Sequence, residues 1–124
     1  MNKYLLIAAI LTFIAGLTHS LMGERFFLVR LFKADYPEAL GIDESINQTT
    51  RMAWHLTTLA LWCIAILIGV VAFHPGDALA GWIGNVIAGF FTISGIISII
   101  GSHGRQFLGL GFLLIAFFIW FGIS

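Results

Sequence analysis

Four long apolar runs alternate with short polar segments along the 124 residues. The runs cover about residues 4–22, 52–73, 78–101 and 106–123. Each is close to the ~20 apolar residues that an α-helix needs to cross the hydrocarbon core of a bilayer. The pattern predicts an all-α integral membrane protein, a four-helix bundle with antiparallel neighbours that forms one transmembrane domain over residues 1–124.

The first run has two interpretations. Lys3 precedes an apolar stretch, as in a secretory signal peptide, but residues 17–22 lack small residues at the spacing of a cleavage site. We therefore expect a retained helix. The segment Glu24–Lys33 that follows is amphipathic, so it either lies in the headgroup plane or prolongs the first helix.

Polar signals mark the ends of the two middle helices. Ser45 and Gln48 have the spacing of a capping box, which predicts that the second helix starts before it enters the membrane. Pro75 and Gly76 end that helix, and Asp77 is a suitable N-cap for the third.

Small and polar residues mark one predicted packing face of the third helix. They recur at helical spacings and are Gly81, Asn85, Ala88, Thr92, Gly95 and Ser102. The last run has no polar side chain after Gln106, so we expect its helix to be the most lipid-exposed, with Gly109 and Gly111 at its close contact. Cys63, the only cysteine, lies in an apolar run and is expected to be a small core residue.

Composition and charge narrow the class of protein. Hydrophobic residues make up 60% of the chain and charged residues 10%, well below the ~25% of soluble domains. Net charge is zero and no basic stripe is present, so nucleic acid is not an expected partner. A single cysteine excludes an intramolecular disulfide, a CxxC redox pair and a thiolate zinc cluster.

The distribution of basic residues predicts the orientation. Lys3 lies on the side of the termini, whereas the opposite side carries Arg25, Arg30, Lys33, Arg51 and Arg105. The positive-inside rule makes the second side cytoplasmic. We expect a multi-pass protein, in a bacterial inner membrane, with both termini periplasmic.

Ionisable residues gather at the predicted cytoplasmic edge. His19 lies about one turn before the end of the first span, and His55 about one turn inside the second, at ~1.5 Å per residue. His103 occupies the turn between the third and fourth spans on the same side. The candidate site consists of His19, Glu24, Arg51, His55 and His103, with Arg105 as a charge partner. Because ionisable groups near hydrocarbon are costly, their convergence is the main functional pointer in the chain.

Three chemistries fit this set of residues. The first is an interfacial polar knot, in which Glu24 pairs with an arginine and the histidines bond to backbone carbonyls or Ser20. The second is a divalent transition metal held by His19, Glu24, His55 and His103, or one b-type haem ligated by two of the histidines. The third is proton handling, although no carboxylate lies mid-span to continue a relay.

These patterns predict a membrane accessory or binding protein without catalysis. The alternative is a metal- or haem-binding redox protein that uses His19, His55 and His103. Four spans enclose little lateral interior, so lipid and either further copies of the chain or a larger membrane complex are the expected partners.

Overall fold

A computed structural model of the protein describes residues 1–30, 44–103 and 107–124, and all regular structure within these ranges is helical. The α-helices are α1 (Lys3–Met22), α2 (Glu44–Ala72), α3 (Ala78–Gly101) and α4 (Leu108–Ile123). A π-helical segment, Gly23–Leu28, continues α1 without a break. The described part of the amphipathic segment thus prolongs the first helix, and residues 31–33 lie outside the described residues.

Three helical stretches are long and apolar enough to cross a membrane. They are Lys3–Leu28, Asn47–Ala72 and Ala78–Gly101. The fourth helix, α4, is equally apolar but has only 16 residues, fewer than the ~20 of a typical span. The predicted start of its span at residue 106 lies outside the described residues.

The helices pack in the order α2, α1, α4, α3. The first helix contacts both α2 and α4, α3 packs along α4, and α2 and α3 touch only sparsely. The expectation that α4 is the most lipid-exposed helix is therefore wrong. Ile115 and Ile119 of α4 are almost fully buried, because α4 fills the space between α1 and α3.

Asn2 joins three helix ends. Its side-chain oxygen accepts hydrogen bonds from the backbone N–H groups of Tyr4 and Leu5, which caps α1. Its backbone N–H donates to the carbonyl of Ala72 at the end of α2, and its side-chain amide donates to the carbonyl of Gly122 near the end of α4. The start of α1 therefore lies beside the ends of both neighbours, so α1 runs antiparallel to them.

Glycines bring α3 and α4 into close contact. A Cβ atom on Gly95 would lie 2.9 Å from the carbonyl oxygen of Gly109, and a Cβ on Gly109 would meet the same backbone from the other side. Gly111 has open space instead, so its predicted contact is wrong. The predicted small-residue face of α3 is also divided, since Ala88 and Gly95 are buried whereas Asn85 is exposed.

Two further expectations from the sequence need correction. Ser45 lies within α2, which already includes Glu44, so Ser45 is not the N-cap of this helix, and its side chain lies outside the described residues. The helix does begin upstream of residue 52, as expected. Cys63 is exposed and is therefore not a core residue. The predicted turn is confirmed, since Asp77 caps α3 by accepting from the N–H groups of Leu79 and Ala80.

Indole side chains of α2 lie over glycines of α1. The Trp62 ring would be 2.9 Å from a Cβ on Gly16, and its Nε1–H donates to the carbonyl of Phe13 at 3.3 Å. The same indole stacks on the Phe13 ring, with centroids 5.2 Å apart and planes 17° apart. The missing Cβ thus lets a large ring of α2 reach the backbone of α1.

We predict opposite effects for two alanine substitutions in α3. Gly95→Ala places a methyl group against the Gly109 carbonyl, so we expect a loss of about 1–3 kcal/mol in the free energy of unfolding. Gly89→Ala, with nothing within 4 Å of the new Cβ, should be neutral or stabilise by up to about 1 kcal/mol. Unfolding in mixed micelles measures both, and equal effects of the two substitutions would contradict the close α3–α4 contact.

Candidate functional site

The π-helical segment places Trp54 of α2 against α1. A Cβ atom on Gly23, the first residue of the segment, would overlap the Trp54 indole nitrogen. The Nε1–H group of Trp54 donates to the carbonyl of His19 at 3.0 Å. π-Helical turns inside α-helices are frequent at functional sites because they re-aim side chains. Here the π-helical segment begins at Gly23, so it separates the orientation of His19 on α1 from that of Glu24 and the residues after it.

Trp54 lies between two rings of the first helix and its extension. The His19 imidazole stacks on the indole with centroids 4.4 Å apart and planes 6° apart. Phe27 stacks on it as well, at 5.1 Å and 21°. With its ring plane and its N–H both engaged, Trp54 fixes the orientation of the His19 ring.

A polar network connects α1, the π-helical segment and α2. Ser20 Oγ lies 3.1 Å from His55 Nδ1, which is hydrogen-bonding distance. The His55 Nε2 atom is 3.9 Å from Glu24 Oε2, too far for a direct hydrogen bond. Glu24 Oε1 forms an ion pair with Arg51 Nε at 3.1 Å. We call Ser20, Glu24, Arg51 and His55 the polar network.

The polar network is only half-buried. The side chains of Glu24, Arg51 and His55 retain between 41% and 49% of their exposure. An ion pair this exposed contributes only about 0.2–1 kcal/mol to stability, since water screens the charges. The network is therefore more useful for positioning accessible polar groups than for holding the fold together.

Some polar atoms at this contact have no hydrogen-bond partner. Among the described residues, the buried side-chain atoms without one are His19 Nε2, Glu24 Oε2 and Thr58 Oγ1. Two of them belong to predicted site residues, and Thr58 follows Trp54 by one turn of α2. Buried polar atoms in proteins are normally satisfied, so this part of the α1–α2 contact has unused hydrogen-bonding capacity.

The structure brings together four of the six predicted site residues. His19, Glu24, Arg51 and His55 lie at the contact between α1 and α2. His103 follows α3 in an exposed turn with a positive φ of 50°, and its side chain makes no hydrogen bond, ion pair or ring contact with a described residue. Arg105 lies outside the described residues.

The described residues do not form the predicted metal site. Within residues 1–30, 44–103 and 107–124, no group of three His, Cys, Asp or Glu side chains has the arrangement of metal ligands. Nδ1 of His55 is engaged by Ser20, and the His19 ring lies flat on Trp54. Two contacts of the predicted polar knot are present, Glu24 with Arg51 and His55 with Ser20, whereas His19 Nε2 has no hydrogen-bond partner among the described residues.

Sequence reasoning missed two contributors to the site. Neither Trp54 nor Gly23 was given a role. Ser20 was expected to bond to a histidine, and its partner is His55 of the next helix. The signal in the sequence was a tryptophan near the start of the predicted second span and a glycine just after the predicted first span. Their pairing depends on how the two helices are aligned.

No protein-family model, curated protein or solved structure matches this chain.

We predict that Gly23→Ala displaces Trp54. The new methyl group would overlap the indole, which is held by two rings and a hydrogen bond, so the free energy of unfolding should fall by about 1–3 kcal/mol. Near-ultraviolet circular dichroism should change with it. Gly101→Ala, with open space around its Cβ, is the matched control and should leave both signals unchanged. A wild-type spectrum for Gly23→Ala would contradict the observed contact.

Proposed function

We propose that the protein is a multi-pass integral membrane protein whose four helices form a transmembrane bundle. Three apolar helical stretches of sufficient length support this proposal. Large apolar side chains also cover its outer surface, including Trp82 at 73% exposure and Val86 at 71%. So continuous an apolar surface is unfavourable in water and suits contact with lipid.

The proposed orientation follows from the exposed cations. Arg25, Arg30 and Arg51 lie at the end of the helices that carries the polar network, whereas Lys3 lies at the opposite end. By the positive-inside rule, we propose that the polar network lies at the cytoplasmic edge, with both termini on the opposite side, the periplasm if the host is a bacterial inner membrane.

The proposed function is that of a non-catalytic membrane accessory or binding protein. The polar network carries this proposal, because it presents Ser20, Glu24, Arg51 and His55 together at one edge while leaving nearly half of each charged side chain accessible. Hydrogen-bonding groups held at a fixed place at the membrane edge suit recognition of a polar partner. Further copies of this chain or a larger membrane complex are the partners we propose.

A metal- or haem-binding redox protein is the other proposal made from the sequence. It would use His19, His55 and His103 as ligands. The observation that supports this proposal is that His19 Nε2 has no hydrogen-bond partner among the described residues. With His103 in the turn after α3 and His55 bonded to Ser20, the described geometry gives the binding role more support.

Cys63 provides a test of membrane insertion. The fold leaves this side chain exposed, and it lies about 5 Å from the middle of the stretch Asn47–Ala72 at ~1.5 Å per residue. We expect Cys63 to resist a membrane-impermeant maleimide in intact membranes, because lipid covers its exposed side chain there. The thiol should react after unfolding in SDS, which removes the lipid.

A second variant provides the control and tests the orientation. In a Cys63→Ser background, Ser124→Cys places the thiol at the exposed chain end, where it should react in intact cells. Rapid labelling of native Cys63 in sealed membranes would contradict insertion of α2. If Ser124→Cys were labelled only after the cells are opened, the termini would lie in the cytoplasm, which would contradict the proposed orientation.

An absorption spectrum combined with elemental analysis separates the two functional proposals. For protein purified without chelator or affinity tag, we expect no Soret band and no stoichiometric transition metal. A Soret band or near-stoichiometric metal that disappears in His55→Ala, but persists in the control His74→Ala at the other end of α2, would contradict the binding role and establish a cofactor site.

A further inference from the structure

A groove of about 470 Å³ runs along one face of α2 beside the polar network. Its described lining residues recur at spacings of three and four, and they are Gln48, Arg51, Met52, His55, Leu56 and Leu59. At ~1.5 Å of rise per residue the groove is about 16 Å long. Its apolar part, from Met52 to Leu59, spans about 10 Å, which fits within the ~15 Å of hydrocarbon that one leaflet contributes.

The groove changes from polar to apolar along its length. Gln48, Arg51 and His55 occupy its first two turns, at the proposed membrane edge. Leu56 and Leu59 continue it towards the middle of the span and are 59% and 52% exposed. A polar end followed by an apolar channel is the arrangement of a phospholipid, with its headgroup at the surface and its acyl chain below.

The charge at the polar end favours an anionic headgroup. Arg51 is held by Glu24 through Nε, and its side chain is 49% exposed at the groove. A guanidinium presents several N–H donors in a planar fork that matches a phosphate. Arg25 and Arg30 are exposed at the same end of α1 and its extension. Among the charged side chains described at this end of the helices, there are therefore more arginines than carboxylates, of which Glu24 is the one described.

We propose that this groove is a binding site for an anionic phospholipid, with the phosphate at Arg51 and one acyl chain along Met52, Leu56 and Leu59. The proposal rests on the membrane insertion proposed above and names the ligand class of the same polar edge. A lipid fits better than a helix of a second copy, because the apolar part of the groove lies within one leaflet and ends at a cation.

Native mass spectrometry tests the proposal. The protein is extracted from membranes of equimolar phosphatidylglycerol and phosphatidylcholine with identical acyl chains, and the lipid that stays bound to it is measured. We expect wild-type protein to retain phosphatidylglycerol about fivefold over phosphatidylcholine, the factor for one arginine near an anionic surface. The double variant Glu24→Gln with Arg51→Gln, which removes both charges of the ion pair, should lose this preference. Arg51→Lys should keep most of it.

Substitutions of exposed leucines test the groove itself. Leu56→Trp fills the channel without changing the polar network, so retained lipid should fall about fourfold or more, the factor for one CH₂ group that loses its apolar contact. Leu67→Trp, an exposed leucine of α2 outside the groove, is the matched control and should retain lipid as the wild type does. Both sites are exposed, so neither change should unfold the protein.

Four outcomes would overturn the proposal. They are equal retention of the two lipids, wild-type retention by Leu56→Trp, displacement of the lipid by inorganic phosphate alone, and a dimer mass that Leu56→Trp converts to a monomer. The third would assign the site to soluble phosphate, and the fourth would assign the groove to a second copy. Cys63 labelling on the same membranes identifies the separate case in which membrane insertion itself has failed.

Discussion

The contact between α1 and α2 is the constraint on which the candidate site depends. Two tryptophans of α2 lie over two glycines of α1 and its extension, Trp62 over Gly16 and Trp54 over Gly23. Each indole also donates to a backbone carbonyl of α1 and stacks on a ring of the same helix. The combination fixes distance, rotation and register, because a shift of either helix would break the stacking and the hydrogen bond together.

This register determines which polar groups meet. With Trp54 fixed over Gly23, the preceding turn of α1 brings Ser20 to His55, and the π-helical segment brings Glu24 to Arg51. The polar residues contribute little stability themselves, since they are half-exposed and screened. Their positions are set by aromatic packing, so the accessible groups at this edge can serve binding. The proposed lipid groove uses the outer face of the same two turns of α2.

Much of the fold was predictable from the sequence because apolar runs of helical length are a strong signal. The third helix was expected at 78–101 and is observed there. Burial was harder to predict in an apolar chain, since lipid-facing and core-facing residues have the same composition. For that reason α4 was expected outside but packs between α1 and α3, and Cys63 was expected inside but is exposed. The partner of Ser20 depends on interhelical register, which periodicity within one helix does not determine.

The most direct test is nuclear magnetic resonance of the protein in lipid nanodiscs, observing the indole N–H of Trp54. The account predicts an N–H protected from exchange with water and nuclear Overhauser effects from the indole to the His19 and Phe27 rings, because the indole is hydrogen-bonded and stacked on both sides. An indole N–H that exchanges freely, with no Overhauser effect to His19, would contradict the α1–α2 register and with it the arrangement of the polar network.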